Sequence, residues 1–536
     1  MPADLVFLNG PIYTSRRDEF VEALAVDGEW ISFVGGESEV APHIGPSTRV
    51  VDLDDRLLTA GFQDAHVHPG AAGRDMTRVP LSGCVDVTEA LAAIGSYAED
   101  NPDHEWIRGS GWLQTWFPGG CPNRALLDTV VPDRPVFLEN ADGHDGWANS
   151  MALELAGIDA NTPDPRDGRI ERDNGGLPQG TLHEGARYLV MAVMPEDTID
   201  DFRLGIVAAQ SYLFSKGITG WQDAHVDEIN HRAYRALAAD GQLLGRAQGA
   251  LWWDRHRGLE QIDEMVEMKR EALGRYRPIA VKLMLDGIIE NFSASMREPY
   301  LDGAGDPTAN RGIDFIEPGE LMEIVTRLDS LGFSCHFHAI GDGAVGHALD
   351  AVGTAQAANG VSDNRHHIAH VQVVHPDDIS RFAQLGVTAN CQPLWACDDE
   401  AQTELTRPFL GPERSGWQYP FGRLARSGAR LAMGSDWGVS TPDVFEQADV
   451  AVWRTHISQT DAAPLNPDEA IGAQDALIGF TLGSAYVNHL DDVTGTLEVG
   501  KLADLAVMDR NPLAEQRLAE TLVDMTVIGG EVVYER

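Results

Sequence analysis

Between residues 62 and 436 the chain runs through eight short apolar segments separated by stretches long enough for helices, and this alternation is what most limits the folds open to it. The segments are Phe62–His68, Ile218–His225, Ala247–Trp253, Ile279–Asp286, Phe333–Ile340, His366–Val371, Val387–Gln392 and Arg430–Asp436. Strands covered on both faces read as continuous apolar runs, and eight of them close a TIM-type (β/α)8 barrel. The expected fold class is therefore α/β with such a barrel as its body. At 536 residues the chain is longer than one core requires, so a smaller second domain is expected beside the barrel.

The texture of the two ends suggests where that domain comes from. Residues 1–57 and 491–536 alternate apolar and polar residues in short runs, with turn signals at Asp27-Gly28 and Gly529-Gly530. Neither end has enough strands to bury a sheet alone, so one small β-sandwich built from both termini is expected around a barrel over 58–490. The gap between the first two barrel segments is too long for a simple crossover. Residues of about 71 to 200 should therefore be a large insertion after the first strand. It contains RGSGWLQTWFPGG and RPVFLENADGHDGWANSMAL, where Asn149-Ser150 is a candidate helix N-cap. Its last part, NTPDPRDGRIERDNGGLPQG, reads as a turn-dominated surface loop.

Residues able to bind metal cluster at the ends of the barrel segments. In LLTAGFQDAHVHPG, His66 and His68 are two apart on a strand, so both imidazoles leave one face at its carboxyl end. Two neutral imidazoles make half of a divalent metal site. The next strand echoes this motif as GITGWQDAHV, with Asp227 where His68 stands, which makes His225 a further candidate to line the site. FSCHFHAIGD carries His336 and His338, RHHIAHVQ carries His366, His367 and His370, and RLAMGSDWG ends in Asp436. Taken singly, each reads more readily as a satisfied core or surface residue than as a ligand. Taken jointly, His66, His68, Lys282, His338, His370 and Asp436 all fall at or near carboxyl ends of barrel strands, where barrel active sites are built.

Lys282 lies inside the apolar run IAVKLMLDG. A buried unpaired ammonium is costly, so the plain reading is a snorkelling lysine or a salt bridge to Asp286. This chain, however, uses only four lysines, Lys216, Lys269, Lys282 and Lys501, and arginine supplies its other cations. A lysine retained inside a strand suggests chemistry that guanidinium cannot perform, such as attack of a neutral amine on carbon dioxide to give a carbamate that bridges two metals.

Charge narrows the partners. The 83 acidic against 40 basic side chains give a net charge of −43, which argues against nucleic acid. Scarce lysine with abundant, evenly spread acid matches a salt-adapted protein, although a GC-rich genome would also deplete lysine. The five cysteines include no C-x-x-C pair and read as reduced thiols, and neither a signal peptide nor a membrane-spanning run is visible, so a cytoplasmic location without membrane binding is expected. A homodimer is left open.

The motifs GFQDAHVHPG, VKLMLDG, HAIGD, RHHIAH, GSDWGV and GTLEVGKLADLAVMD together resemble the metal-dependent amidohydrolase superfamily, and most closely its amidohydrolase-3 branch, which includes N-substituted formamide deformylases. The resemblance spans nearly the whole chain. It implies that His66 and His68 bind the more buried metal, that carboxylated Lys282 bridges, that His338 and His370 bind the second metal, and that Asp436 touches the first metal and acts as base. His336 is then second to the ligands. The expected cofactors are two divalent cations, with zinc the default for this donor set and manganese, iron or cobalt also compatible. The branch usually has glutamate before the sixth-strand histidine; Ala369 stands there in this chain.

The implied reaction is hydrolysis of a non-peptide C–N bond in a small amide or formamide by water activated between the cations, with Asp436 as general base and acid. His144 is expected to contact the substrate carbonyl or its oxyanion. Trp112, Trp116, Trp147, Trp395 and Trp437 are candidates for an aromatic substrate pocket, or alternatively for the insertion's own core. The rival readings are another reaction on the same scaffold, such as lactone or ester hydrolysis or decarboxylation, and a non-catalytic subunit.

Overall fold

A computed structural model describes residues 2–76, 78–81 and 83–536. All eight apolar segments are strands of one parallel sheet, ordered along it as in the sequence. They are β1 (Phe62–Val67), β2 (Ile218–Val226), β3 (Arg246–Trp252), β4 (Tyr276–Met284), β5 (Ser334–Ala339), β6 (His367–His370), β7 (Thr388–Cys391) and β8 (Leu431–Met433).

The sheet closes just past the end of its regular ladder. The Asp436 amide donates to the His66 carbonyl at 2.7 Å, and the His68 amide donates to the Trp437 carbonyl at 2.8 Å. Asp64, fully buried in this seam, accepts the amides of His66 and Ser435, both at 3.0 Å, and the Ser435 hydroxyl at 2.5 Å. Thus the bonds that turn the sheet into a barrel also hold His66, His68 and Asp436 together.

Helices sheath the strands. The helix Ile199–Ser215, which leads into β2, starts with Thr198 capping the Asp201 amide while the Asp201 carboxylate accepts from the Thr198 amide. Its Phe202, Ile206, Ala209 and Leu213 recur at helical spacing and share a core with Phe62 of β1 and Ile218 of β2. Phe202, Ile206 and Leu213 each contribute about 1.5–3 kcal/mol on burial.

Strands from both ends of the chain form two stacked sheets. One holds Leu5–Leu8, Ala23–Asp27, Trp30–Gly35 and Arg49–Asp52. In the other, Leu58–Ala60 pairs antiparallel with Leu505–Met508, which joins the N-terminal and C-terminal pieces. Leu5, Phe7, Leu24 and Val26 meet Leu505, Val507 and Val527 between them. Two details depart from the sequence reading. Leu58–Ala60 belongs to this mixed sheet rather than to the barrel, and the N-terminal strands do form one whole sheet, although its inner face is covered only with help from the C-terminal piece.

The insertion is built on a six-stranded sheet running, in spatial order, Gly168–Arg172, Pro178–Glu184, Asp145–Ala148, Val136–Asn140, Ile107–Trp112 and Val79–Pro80. Asn149 caps the helix Ser150–Leu155 through the Ala152 amide at 2.9 Å. The segment read as a surface loop instead contains the strand Gly168–Arg172 and the start of Pro178–Glu184. A single inward side chain, Ile170, anchors the first of these, and one apolar residue among charges leaves too faint an alternation to read. Among the described residues no helix is long and apolar enough to cross a membrane, and all five cysteines are unpaired.

Candidate metal centre

At the carboxyl end of the barrel, His66, His370 and Asp436 bring donor atoms to within 4.8 Å of one another. Asp436 Oδ1 lies 3.3 Å from His66 Nε2 and 3.1 Å from His68 Nε2, and its Oδ2 lies 3.8 Å from His370 Nδ1. The His338 ring adjoins His370 with centroids 4.4 Å apart, and Lys282 Nζ is 3.5 Å from His66 Nε2. The structure therefore gathers the six residues singled out from sequence around one point. The backbone there is strained: φ is +76° at His370, +42° at Val371 and +54° at Asp436. Such conformations cost of order 1–3 kcal/mol each and persist where surrounding packing imposes them.

A relay of hydrogen bonds sets the tautomer of His66. Gln222 Oε1 can only accept, and it lies 2.6 Å from His336 Nδ1 and 2.9 Å from His367 Nε2. His336 must therefore donate from Nδ1. Burial holds His336 and His66 far below the normal imidazole range, so both rings are neutral. A neutral His336 can then only accept at Nε2, and His66 Nδ1, 2.8 Å away, donates to it. That leaves the lone pair of His66 on Nε2, the nitrogen that faces Asp436 and Lys282. His336 and His367 thus act behind the site, and His366 serves the fold, accepting the Cys335 amide and bonding Asp329.

Two further observations test whether a cation suits this place. Among the described residues, His370 Nδ1 and Asp436 Oδ1 are buried with no hydrogen-bond partner, a costly state for a protein interior unless something else binds them. Burial opposes ionisation of Asp436, yet its carboxyl is held well below the usual range, with the His68 imidazole nitrogen 3.1 Å away among the groups that favour the anion, so it stays ionised. The nitrogen and oxygen donors fit a divalent transition metal.

Lys282 is 2% exposed, and burial lowers its amine to about 7 despite the nearby Asp436 charge. The salt bridge to Asp286 does not form. Asp286 instead accepts the amides of Ser295, Ile340 and Gly341 at 2.9–3.0 Å, bracing the loops after β4 and β5.

His144 comes from the insertion to the rim of this centre, its ring centroid 5.4 Å from that of His338. Its Nδ1 lies 2.8 Å from Glu184 Oε2, and Ser293 donates to Glu184 Oε1 at 2.6 Å. Burial alone would lower the His144 pKa, but Glu184 overrides it and raises it to about 9, while Glu184 falls to about 2. Glu184 was not found from sequence, since its partner lies 40 residues away. Its φ of +49° is again a strained, non-glycine conformation. A Cβ on Gly287 would collide with the Glu184 carboxylate, which explains the glycine of the LDG motif.

The aromatic candidates divide. Trp395 stacks on His370 at 5.6 Å and 20°, and His225, exposed to solvent, stacks on Trp252 at 4.1 Å. Trp112 and Trp147, offered as pocket walls, are fully buried in the insertion core with Phe117, and Trp116 packs against that same cluster. Their indole N–H groups donate inward, to the carbonyls of Leu138 and Asn123 for Trp112 and Trp147. Trp437 packs on Tyr212 with ring centroids 5.1 Å apart. Composition cannot separate a core tryptophan from a pocket one, and the insertion needed a core.

Comparison with known proteins decides the family. The model of the amidohydrolase family matches residues 49–534. The chain belongs to the amidohydrolase family. Protein LONG AFTER FAR-RED 3 of Arabidopsis thaliana is 31% identical over 99% of this chain and 92% of its own length. N-substituted formamide deformylase of Arthrobacter pascens is 29% identical, covering 99% of this chain and 98% of its own. A solved structure of an uncharacterized metal-dependent hydrolase from Pyrococcus horikoshii OT3 superposes with a TM-score of 0.74 at 26% identity, covering 96% of this chain and 98% of that one. This amidohydrolase is accordingly a metal-dependent hydrolase with a TIM-type barrel.

Proposed function

We propose that this amidohydrolase cleaves the C–N bond of a small amide or formamide, with Asp436 moving the proton. The observation that carries the reading is the convergence of neutral imidazoles, an ionised carboxylate and a buried amine on two orphaned donor atoms, His370 Nδ1 and Asp436 Oδ1. His66, His68 and Asp436 would hold one divalent cation and His338 and His370 a second, with Lys282, as its carbamate, between them. Bound cations supply Lewis acidity toward the substrate carbonyl and bring the pKa of water toward neutrality.

The chain's own groups do the rest. The Lys282 amine, lowered to about 7, is largely neutral near neutral pH, so its Nζ can bond to the carbon of carbon dioxide with release of one proton. The Asp436 carboxylate takes the proton of the attacking water and hands it to the leaving nitrogen, which departs as a neutral amine. His144, held as imidazolium by Glu184, donates a hydrogen bond to the carbonyl oxygen as negative charge gathers there. Trp395, stacked on His370, and the His225–Trp252 pair offer flat apolar surface for the substituent on nitrogen. The similarity to N-substituted formamide deformylase supports an N-substituted formamide as the first substrate to try.

The test is product analysis on enzyme reconstituted with zinc and bicarbonate. N-benzyl and N-alkyl formamides, simple amides and lactones would be offered separately, and the amine and acid released would be measured. Matched release of amine and acid that stops on chelation and returns with metal supports the reading; lactone opening with no amine from any amide overturns it.

A further inference from the structure

A second cluster of donors lies in the insertion, apart from the barrel mouth. Cys121 Sγ, Glu171 and His183 each place a donor atom within 4.8 Å of the others. Asp145 and His183 are register partners on neighbouring antiparallel strands, and Glu171 lies two residues beyond Arg169, the residue paired with His183 on its other side. Cys121 ends the short turn Pro118–Gly120 and is brought over this row of side chains. We infer that Cys121, His183 and Glu171 form a second, thiolate-containing binding site for a zinc-class ion.

The separations carry the argument. His183 Nε2 is 3.7 Å from Cys121 Sγ and 3.4 Å from Glu171 Oε2. A charge-assisted hydrogen bond to a carboxylate would be about 2.7–2.9 Å. Ligands about 2.0–2.3 Å from a tetrahedral zinc are separated along its edges by roughly 3.3–3.8 Å. The cluster is thus too open for a good hydrogen-bonded ion pair and close to the spacing of a coordination shell.

The groups behind it point the same way. His183 Nδ1 lies 2.7 Å from Asp145 Oδ1, so its N–H is committed there and Nε2 faces the cysteine and the glutamate. Asp145 is fully buried and fixed by Gln114 Nε2 at 2.6 Å and Asn291 Nδ2 at 2.8 Å. A carboxylate behind the far nitrogen of a histidine is the arrangement that orients imidazole ligands of metals. The competing contacts are weak: the Cys121 thiol can donate to the Gly119 carbonyl at 3.3 Å, and Glu171 Oε2 meets Arg169 Nε at 3.3 Å. Cys121 and Glu171 are partly exposed, so an ion could enter from solvent and keep water on its open side. Asn291 belongs to the loop after β4, so an ion here would pin the insertion to the rim of the catalytic barrel.

The test uses the whole protein stripped of metal and titrated with cobalt(II). The described residues of the barrel centre offer no thiolate, so a near-ultraviolet thiolate-to-cobalt band reports the insertion site alone. The expected result is a band in wild type, its loss in Cys121→Ser, and one zinc ion fewer per chain in that variant by elemental analysis, with kcat kept near wild type. Should Cys121→Ser not fold, zinc protection of Cys121 from alkylation, read by mass spectrometry on wild type, replaces it. No band at saturating cobalt, equal zinc content in the two proteins, or alkylation unaffected by zinc would overturn the site, whatever becomes of the proposed reaction.

Discussion

At the barrel mouth, His66, Lys282, His338 and His370 come from four different strands and Asp436 from the turn after a fifth, and each is nearly sealed from water. In the insertion, His183 and Glu171 come from adjacent strands, Cys121 from a turn, and the Glu171 side chain remains 29% exposed. The barrel cluster is held by the seam that closes the fold and by the relay through His336, so its geometry is fixed before anything binds. The insertion cluster hangs on one oriented histidine with two partly exposed partners. Burial with a rigid frame suits a centre that must perturb pKa values and exclude water, whereas a half-open cluster suits an ion that comes and goes.

The largest effects should therefore follow changes at the barrel mouth. Asp436→Asn is expected to lower kcat about 10³-fold, the scale of a lost proton-transfer group, with circular dichroism unchanged. Lys282→Arg should remove most activity and lower the metal bound per chain, because guanidinium cannot form the carbamate. An arginine variant with wild-type kcat would break the contrast at its root.

Gln222→Leu probes the relay without touching a donor of the site. Removing the acceptor frees His336 to switch tautomer and should weaken metal retention about 10–100-fold in chelator competition, while the insertion cluster is unaffected. Wild-type retention would show that the relay is not what orients His66.

The pH profile sharpens the comparison at the rim. His144 is raised to about 9 by Glu184, so activity needing its imidazolium should fall as pH rises through about 9. The raised His144 contributes to stability with the same sign: fully present below the unfolded histidine pKa of about 6.5, and lost as pH climbs through the folded value. In Glu184→Gln the alkaline limb of kcat should move toward neutral pH; an unmoved limb would assign it to another group. The smallest effect is reserved for Cys121→Ser, which should lower Tm by a few degrees only when zinc is present, roughly what 1 kcal/mol does in a large domain.

Legibility in the sequence followed the same division. The barrel strands were visible because burial on both faces writes an unbroken apolar run, and because His66, Lys282, His338, His370 and Asp436 each interrupt or end one. The insertion was legible as a length and not as a fold. Its strand Gly168–Arg172 buries little beyond Ile170, and its sheet recruits Trp112 and Trp147 as core, the same residues that a composition-based reading offers as a pocket wall. Glu184 and Gln222 escaped notice for a related reason. Each matters only through a partner remote in sequence, His144 for one and His336 for the other, and no local pattern records such pairings.

Anomalous diffraction across the zinc edge from crystals of active enzyme tests the central claim most directly. The account predicts metal density among His66, His68, Lys282 and Asp436, a second peak beside His338 and His370, and extra density extending the Lys282 side chain. Active crystals with no metal at these residues would contradict it.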